Sequence, residues 1–182
     1  MAITISGSGI TSANIADGTI VNADINSSAA IDGTKLTGIG GTGSAFFAYK
    51  NDGDQSIPHN TQTKMTVTTE EFDVNNEFSN SRFTPTVAGY YFISGSARLN
   101  VGTSSAEVFI AIWKNGSQFT RGSNWTGMSS VGDTGLDIAN MMYFNGSTDY
   151  VEIYIYQSSG GARNARTGLP YSTFTGAFIR GV

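Results

Sequence analysis

Few residues in this chain have the type and spacing to do chemistry. His59 is the only histidine. A general base must sit within reach of a nucleophile and be oriented by a third group. His59 stands beside Pro58 in a stretch with loop composition, and no cysteine is present to act as nucleophile. Glu70, Glu71 and Asp73 bring three carboxylates into four positions. Such a cluster is either half of a glycosidase pair, a hard-cation site or solvated loop charge, and with no matching second carboxylate the last is expected. Gly38 to Gly43 is rich in glycine but lacks the Lys-Ser/Thr ending of a phosphate loop and is followed by no helical pattern, so it reads as a hinge. No catalytic residue, metal ligand or cofactor is predicted, and the chain is not read as an enzyme.

Residues suited to binding are better placed. The stretch from Ser158 to Ser172 carries Arg163, Arg166 and Tyr171, and Trp125 lies in a second stretch rich in Gly, Ser and Asn. Aromatic rings pack on the C–H faces of sugars, and arginine bonds carboxylates and phosphates in bidentate fashion. Trp125, Arg163, Arg166 and Tyr171 therefore form a candidate receptor-contact set for a cell-surface glycan. The competing reading tucks Trp125 and Tyr171 into the rim of the fold and leaves the arginines to solubility.

Loops of this kind need a scaffold, and the rest of the chain supplies strands. From Tyr91, the positions Tyr91, Ile93, Ala97, Leu99 and Val101 are apolar and alternate with Ser94, Ser96, Arg98 and Asn100. A period of two puts one face in a core and the other towards water. Val108 to Trp113, Leu136 to Phe144, Tyr150 to Tyr156 and Thr173 to Ile179 read as further strands from their β-branched and aromatic content. Asn115-Gly116 and Asn145-Gly146 lie between such runs and predict hairpins, because Asn and Gly accept positive φ. No segment carries a helical period. The expected class is all-β, a two-sheet jelly-roll sandwich ahead of an immunoglobulin-like one.

Composition bounds the partners. The chain has 182 residues, no cysteine, a net charge of −4 and only 13% charged residues. A core of that size is stable without staples. Nucleic acid is not an expected partner, because phosphate binding needs clustered Lys and Arg. No apolar run approaches membrane-spanning length, and the start lacks the basic and apolar regions of a cleaved signal, so membrane insertion and signal-directed export are not expected.

The first forty residues are a different kind of sequence. Ile10, Ile15, Ile20 and Ile25 recur every five residues, and after one inserted residue Ile31 and Leu36 continue the ladder. Ala13-Asn14-Ile15 and Ala23-Asp24-Ile25 resemble pentapeptide repeats, although too few for an independent solenoid. One isoleucine in five cannot make a monomeric core, so the ladder is expected to bury itself against sister chains or a larger assembly. A disordered Ser/Gly/Asn-rich leader is the alternative. Residues 1–44 are thus read as a leader that anchors or braids the assembly, and 45–182 as the head.

Four motifs in the head occur in a telling order: Phe46-Phe47, then Phe83-Thr84-Pro85 with Gly89-Tyr90-Tyr91-Phe92, then Lys114-Asn115-Gly116, and finally the run from Ser172 to Ile179. This order resembles the globular-head jelly roll of complement and tumour-necrosis-factor-like proteins over roughly residues 45 to 182. The resemblance implies a trimer. Independently, Val108 to Trp113 is apolar on both faces, and Met141 with Tyr143 backs the Leu136, Ile138, Met142 face, so a second surface is expected to cover them. By the strand order of the resembled family, Tyr90, Phe92, Met141, Tyr143 and Phe178 are the expected trimer-interface residues.

The leader from Ser12 to Ile25 is similar to those of bacteriophage tail-fibre and other virion structural proteins. The two resemblances together imply a homotrimeric virion protein, made in the host cytoplasm and carried at the virion surface. Its leader would bind other virion proteins and its head would face a host-surface glycan. A capsid decoration or head fibre without receptor role, a soluble carbohydrate-binding module and a capsular depolymerase are the alternatives, the last needing a carboxylate pair that the sequence does not show.

Overall fold

The computed structural model describes residues 43–101, 106–127 and 132–181. The ladder Ile10, Ile15, Ile20, Ile25, Ile31 and Leu36 lies outside them. Thirteen strands form two sheets in which every ladder is antiparallel, and no helix occurs among the described residues. The first sheet holds β1 (Ala45–Tyr49), β2 (Gln55–Ile57), β4 (Thr69–Asp73), β7 (Gly89–Asn100), β10 (Asp133–Phe144), β12 (Arg163–Ala165) and β13 (Thr173–Arg180). The second holds β3 (Thr63–Lys64), β5 (Phe78–Ser79), β6 (Arg82–Phe83), β8 (Val108–Lys114), β9 (Ser117–Trp125) and β11 (Val151–Gln157). Strand β7 is central to the first sheet. Strand β10 pairs along its whole length on one flank, while β13 and then β12 share the other.

The alternation read from Tyr91 is realised residue by residue. Tyr91, Ile93, Ala97 and Leu99 are buried, and Tyr90, Phe92 and Arg98 face outward. The inward part of the aromatic signature, Phe46, Phe83 and Tyr91, proves to be a core motif. Phe46 stacks on Phe83 at 4.5 Å and on Phe78 at 4.7 Å, and Phe83 meets Tyr91 at 5.7 Å. Burying each such ring contributes about 1.5–3 kcal/mol. The Tyr91 hydroxyl donates to the Val87 carbonyl at 2.9 Å, and burial, with the nearby Glu77 carboxylate, pushes its pKa up to about 12. Gly89 opens the motif because a Cβ there would meet the Arg180 carbonyl oxygen at 2.5 Å.

Two expectations are corrected. Asn115-Gly116 does turn the β8–β9 hairpin, with φ of 52° and 77°. Asn145-Gly146 does not make a hairpin: β10 and β11 lie in different sheets, and the connection carries the chain across the sandwich. Asn145 Oδ1 accepts the backbone N–H groups of Ser147, Thr148 and Asp149, so its side chain replaces the ladder that a hairpin would have had. The second correction concerns β8. Its outer face is covered by its own chain: Tyr156 stacks on Phe109 at 4.7 Å, Tyr154 on Trp113 at 4.1 Å, Arg121 lies 3.9 Å over the Phe109 ring, and Gln62 accepts the Trp113 indole N–H. No subunit is needed there.

Candidate recognition surface

Five strand ends gather at one end of the sandwich. The pairs Asn100 with Asp133, Val108 with Trp125 and Val108 with Gln157 bring together the ends of β7, β9 and β11 and the starts of β8 and β10. From Gln157 the chain crosses to β12, whose Ala165 pairs with Leu99 of β7, so both sheets contribute to this end. The four residues of the sequence-derived contact set all lie here. The first described residue, Gly43, lies at the opposite end, where the Ser44 carbonyl accepts the Phe178 N–H.

Their environments differ. Trp125 is 50% exposed, and it closes strand β9 where a loop was expected. Arg166 is engaged inside the head: its Nε lies 3.2 Å from both Asp133 oxygens and its Nη1 3.0 Å from Asp54. The hydrogen bond from the Thr167 N–H, reinforced by Arg166, holds the Asp54 carboxyl below its usual range, and the two carboxylates raise Arg166 in turn. Tyr171 lies under the Arg98 guanidinium, 5.3 Å from its ring centre, and Arg98 also reaches Asp133 at 3.6 Å. Arg163 donates through Nε to Ser159 Oγ at 2.6 Å and has no carboxylate partner among the described residues. The structure therefore divides the set by partners: Arg166 is held by two carboxylates and the exposed Tyr171 lies against Arg98, while Trp125 is exposed and the half-buried Arg163 has no carboxylate partner among the described residues.

His59 belongs to the same end. It is exposed, and its Nδ1 accepts the Gly160 N–H at 3.0 Å. Asp73 caps the turn before β5 by accepting the Phe78 N–H, while Glu70 and Glu71 point to solvent on the edge strand β4. Sequence reasoning missed Ser159 and Gln157, which organise Arg163 from below. The signal was there only as a polar residue ending an apolar run and a serine in the Ser/Gly stretch after it.

A second surface lies on the outward face of the first sheet. The register sets Met141 beside Phe92 and Phe92 beside Ala177, with Tyr143 beside Tyr90 in the next row. Met141 is 61% exposed, and Tyr90, Phe92 and Tyr143 about two-fifths exposed. Ile179 and, on the far edge strand β4, Phe72 are also exposed. Four of the five interface residues expected from sequence thus share one face. Phe178 does not: it points to the core side, 5.2 Å from Tyr91, because it is in phase with the buried Phe174 and Gly176, and Ile179 takes the outward position. Towards the loop-bearing end the same face turns polar, with Ser96 bonded to Thr173 at 2.7 Å.

No family model matches the chain and no curated protein matches it. Solved structures do. The Eiger TNF of S. frugiperda aligns with a TM-score of 0.56 at 8% identity, over 77% of this chain and 94% of that one. The globular domain of zebrafish complement 1qA aligns at 0.53 and 15% identity, over 76% and 99%. Murine APRIL, crystallised at pH 5.0, aligns at 0.56 and 8% identity, over 75% and 99%. At such identities the likeness is one of fold. The head of this chain is a two-sheet jelly roll of the type seen in tumour-necrosis-factor-like proteins and complement globular heads.

Proposed function

We propose that this chain is a homotrimeric structural protein of a bacteriophage particle, in which the N-terminal leader anchors the assembly and the jelly-roll head is displayed for attachment to the host surface. The observation that carries the trimer is the outward face of the first sheet, where Tyr90, Phe92, Met141 and Tyr143 form one exposed apolar band. A contiguous patch of that kind on a stable scaffold marks an interface. In the second sheet the outward aromatics of β8 and β11 pair with one another and exposed ones remain only on the edge strand β9, which favours the first-sheet face for the interface. The number three comes from the resemblance to complement and tumour-necrosis-factor-like heads, and the phage assignment from the leader.

Attachment by such a head is a matter of avidity. Three linked copies raise the effective concentration of weak sites, so each contact at Trp125 or Arg163 can be modest. Tail fibre and capsid fibre are both compatible with an anchor plus a head. The test is immunogold labelling of intact phage particles with antibodies raised against residues 43–181. Label at a fibre tip or capsid surface supports the reading, and particles free of the chain overturn it.

A further inference from the structure

Among the described residues every lysine and arginine except Arg163 and Arg180 is ion-paired with a carboxylate. Arg180 is exposed near the C-terminus, at the end of the sandwich opposite the loops. Arg163 is different: it is half-buried and lines a polar cleft of about 320 Å³ together with Asn100, Ala162, Asn164 and Arg166. The Arg166 charge is met by Asp54 and Asp133, so the cleft keeps the single positive charge of Arg163.

That guanidinium is held by a buried frame. Its Nε and Nη2 donate to Ser159 Oγ and to the Ser159 carbonyl, at 2.6 and 3.4 Å. Ser159 is 7% exposed, and its N–H and hydroxyl both bond Gln157 Oε1, at 2.7 and 2.6 Å. Gln157 is fully buried, and its amide donates to the carbonyls of Ile57 and Gly161. An arginine oriented in advance loses little freedom on binding an anion. A guanidinium has five donors, of which Ser159 engages two, and carboxylate is its matched planar partner.

We propose that this cleft binds the carboxylate of an acidic saccharide, with Arg163 as the contact and Arg166 as the residue that positions β12. A monoanion matches the one uncompensated charge. The Asn100 and Asn164 amides each offer donors and an acceptor for sugar hydroxyls. Ala162 is the only apolar residue in the lining, so apolar side chains of a peptide find little to pack against. The inference rests on the attachment reading and gives it a ligand class.

Titration calorimetry on the full chain tests it, with tri-galacturonate and 3′-sialyllactose as acids and the galacturonate methyl ester and lactose as neutral counterparts. At least one acid is bound, its neutral counterpart binds at least tenfold more weakly, and Arg163→Gln weakens the acid at least tenfold with unchanged Tm. Ser159 keeps its Gln157 bonds in that variant, so the fold is retained. Binding of neither acid, equal binding of acid and neutral sugar, or wild-type affinity in Arg163→Gln overturns the proposal. Equal affinity for a glutamate trimer overturns the saccharide assignment, and tighter binding of a sulfated trisaccharide overturns the carboxylate one. Cell binding is measured separately: acid bound through Arg163 by a chain that binds no host cell upholds the cleft and refutes attachment. Cell binding that outlives loss of the sugar site upholds the cleft and moves attachment elsewhere.

Discussion

Met141→Ala isolates the proposed interface from the fold. The side chain is 61% exposed on the edge strand β10, so its removal leaves the core of the head intact. Burying a whole Met side chain is worth about 1.5–3 kcal/mol, so covering the exposed part is worth about 1–2 kcal/mol per protomer. In a closed threefold assembly the loss occurs three times, or about 3–5 kcal/mol per trimer, when the contacts are independent. Three monomers combine in one equilibrium, so the midpoint concentration follows the square root of the constant and rises by about tenfold to a hundredfold. Light scattering or sedimentation over a dilution series measures that midpoint, and circular dichroism checks that the β-rich head persists. Phe119→Ala is the control, since Phe119 is 52% exposed on the edge of the other sheet. A wild-type chain that is monomeric at micromolar concentration, or a midpoint moved equally by both substitutions, refutes the reasoning.

Three further substitutions probe the scaffold. Glu152 is 3% exposed and bonds both Lys64 and Arg82 at 2.9 Å. Burial works to raise its pKa, but the two cations prevail and hold the carboxyl below its ordinary value of 4.5. The ion-pair contribution is therefore complete above pH 4.5 and is lost as pH falls through the lower folded value. Breaking a buried pair costs about 3–5 kcal/mol, and because both cations are partly solvated, Glu152→Gln is expected to cost about 2 kcal/mol at pH 7 in chemical denaturation and to flatten the acid limb of the stability curve. An unchanged acid limb would contradict this. Gly146 has φ 71° and a Cβ there would stand 2.4 Å from the Ala88 nitrogen, whereas Gly53 has φ 94° and open space around it. Gly53→Ala is expected to cost about 1–2 kcal/mol for the backbone conformation alone, and Gly146→Ala clearly more in the same denaturation assay.

The sequence carried the fold where side chains carry it. Strands β7, β8, β10, β11 and β13 have one or two buried faces, so apolar periodicity marks them, and the Phe83 to Phe92 signature reports a real aromatic cluster. Strand β9 was illegible for the opposite reason. It is the polar edge of its sheet, mostly exposed, and its place is fixed by pairing with β8 and by contact with β10, where Ser123 exchanges hydrogen bonds with the Asp137 backbone at 3.1 Å. Short strands such as β2 and β12 are likewise specified by tertiary neighbours and not by their own residues. The difference between Arg163 and Arg166 could not be read from a segment in which they look alike. It depends on Asp54 and Asp133, which are distant in sequence and meet Arg166 only once both sheets are folded.

The two surfaces of the head follow from one asymmetry between its sheets. Both sheets carry aromatic residues outward, but in the second sheet those of β8 and β11 pair with one another and with Arg82, which lies 3.8 Å over Tyr150, and only Phe119 and Trp125 on the edge strand β9 stay exposed. The outward face of the first sheet gathers Tyr90, Phe92 and Tyr143 with the aliphatic Met141 into one exposed apolar group. Association through the first sheet would leave the second facing outward and would hold the three loop-bearing ends side by side. The apolar part of the first sheet lies towards the end where Gly43 enters, and its polar part towards the loops. An assembly formed on that gradient would be driest towards the Gly43 end of the head and wettest towards the proposed Arg163 cleft.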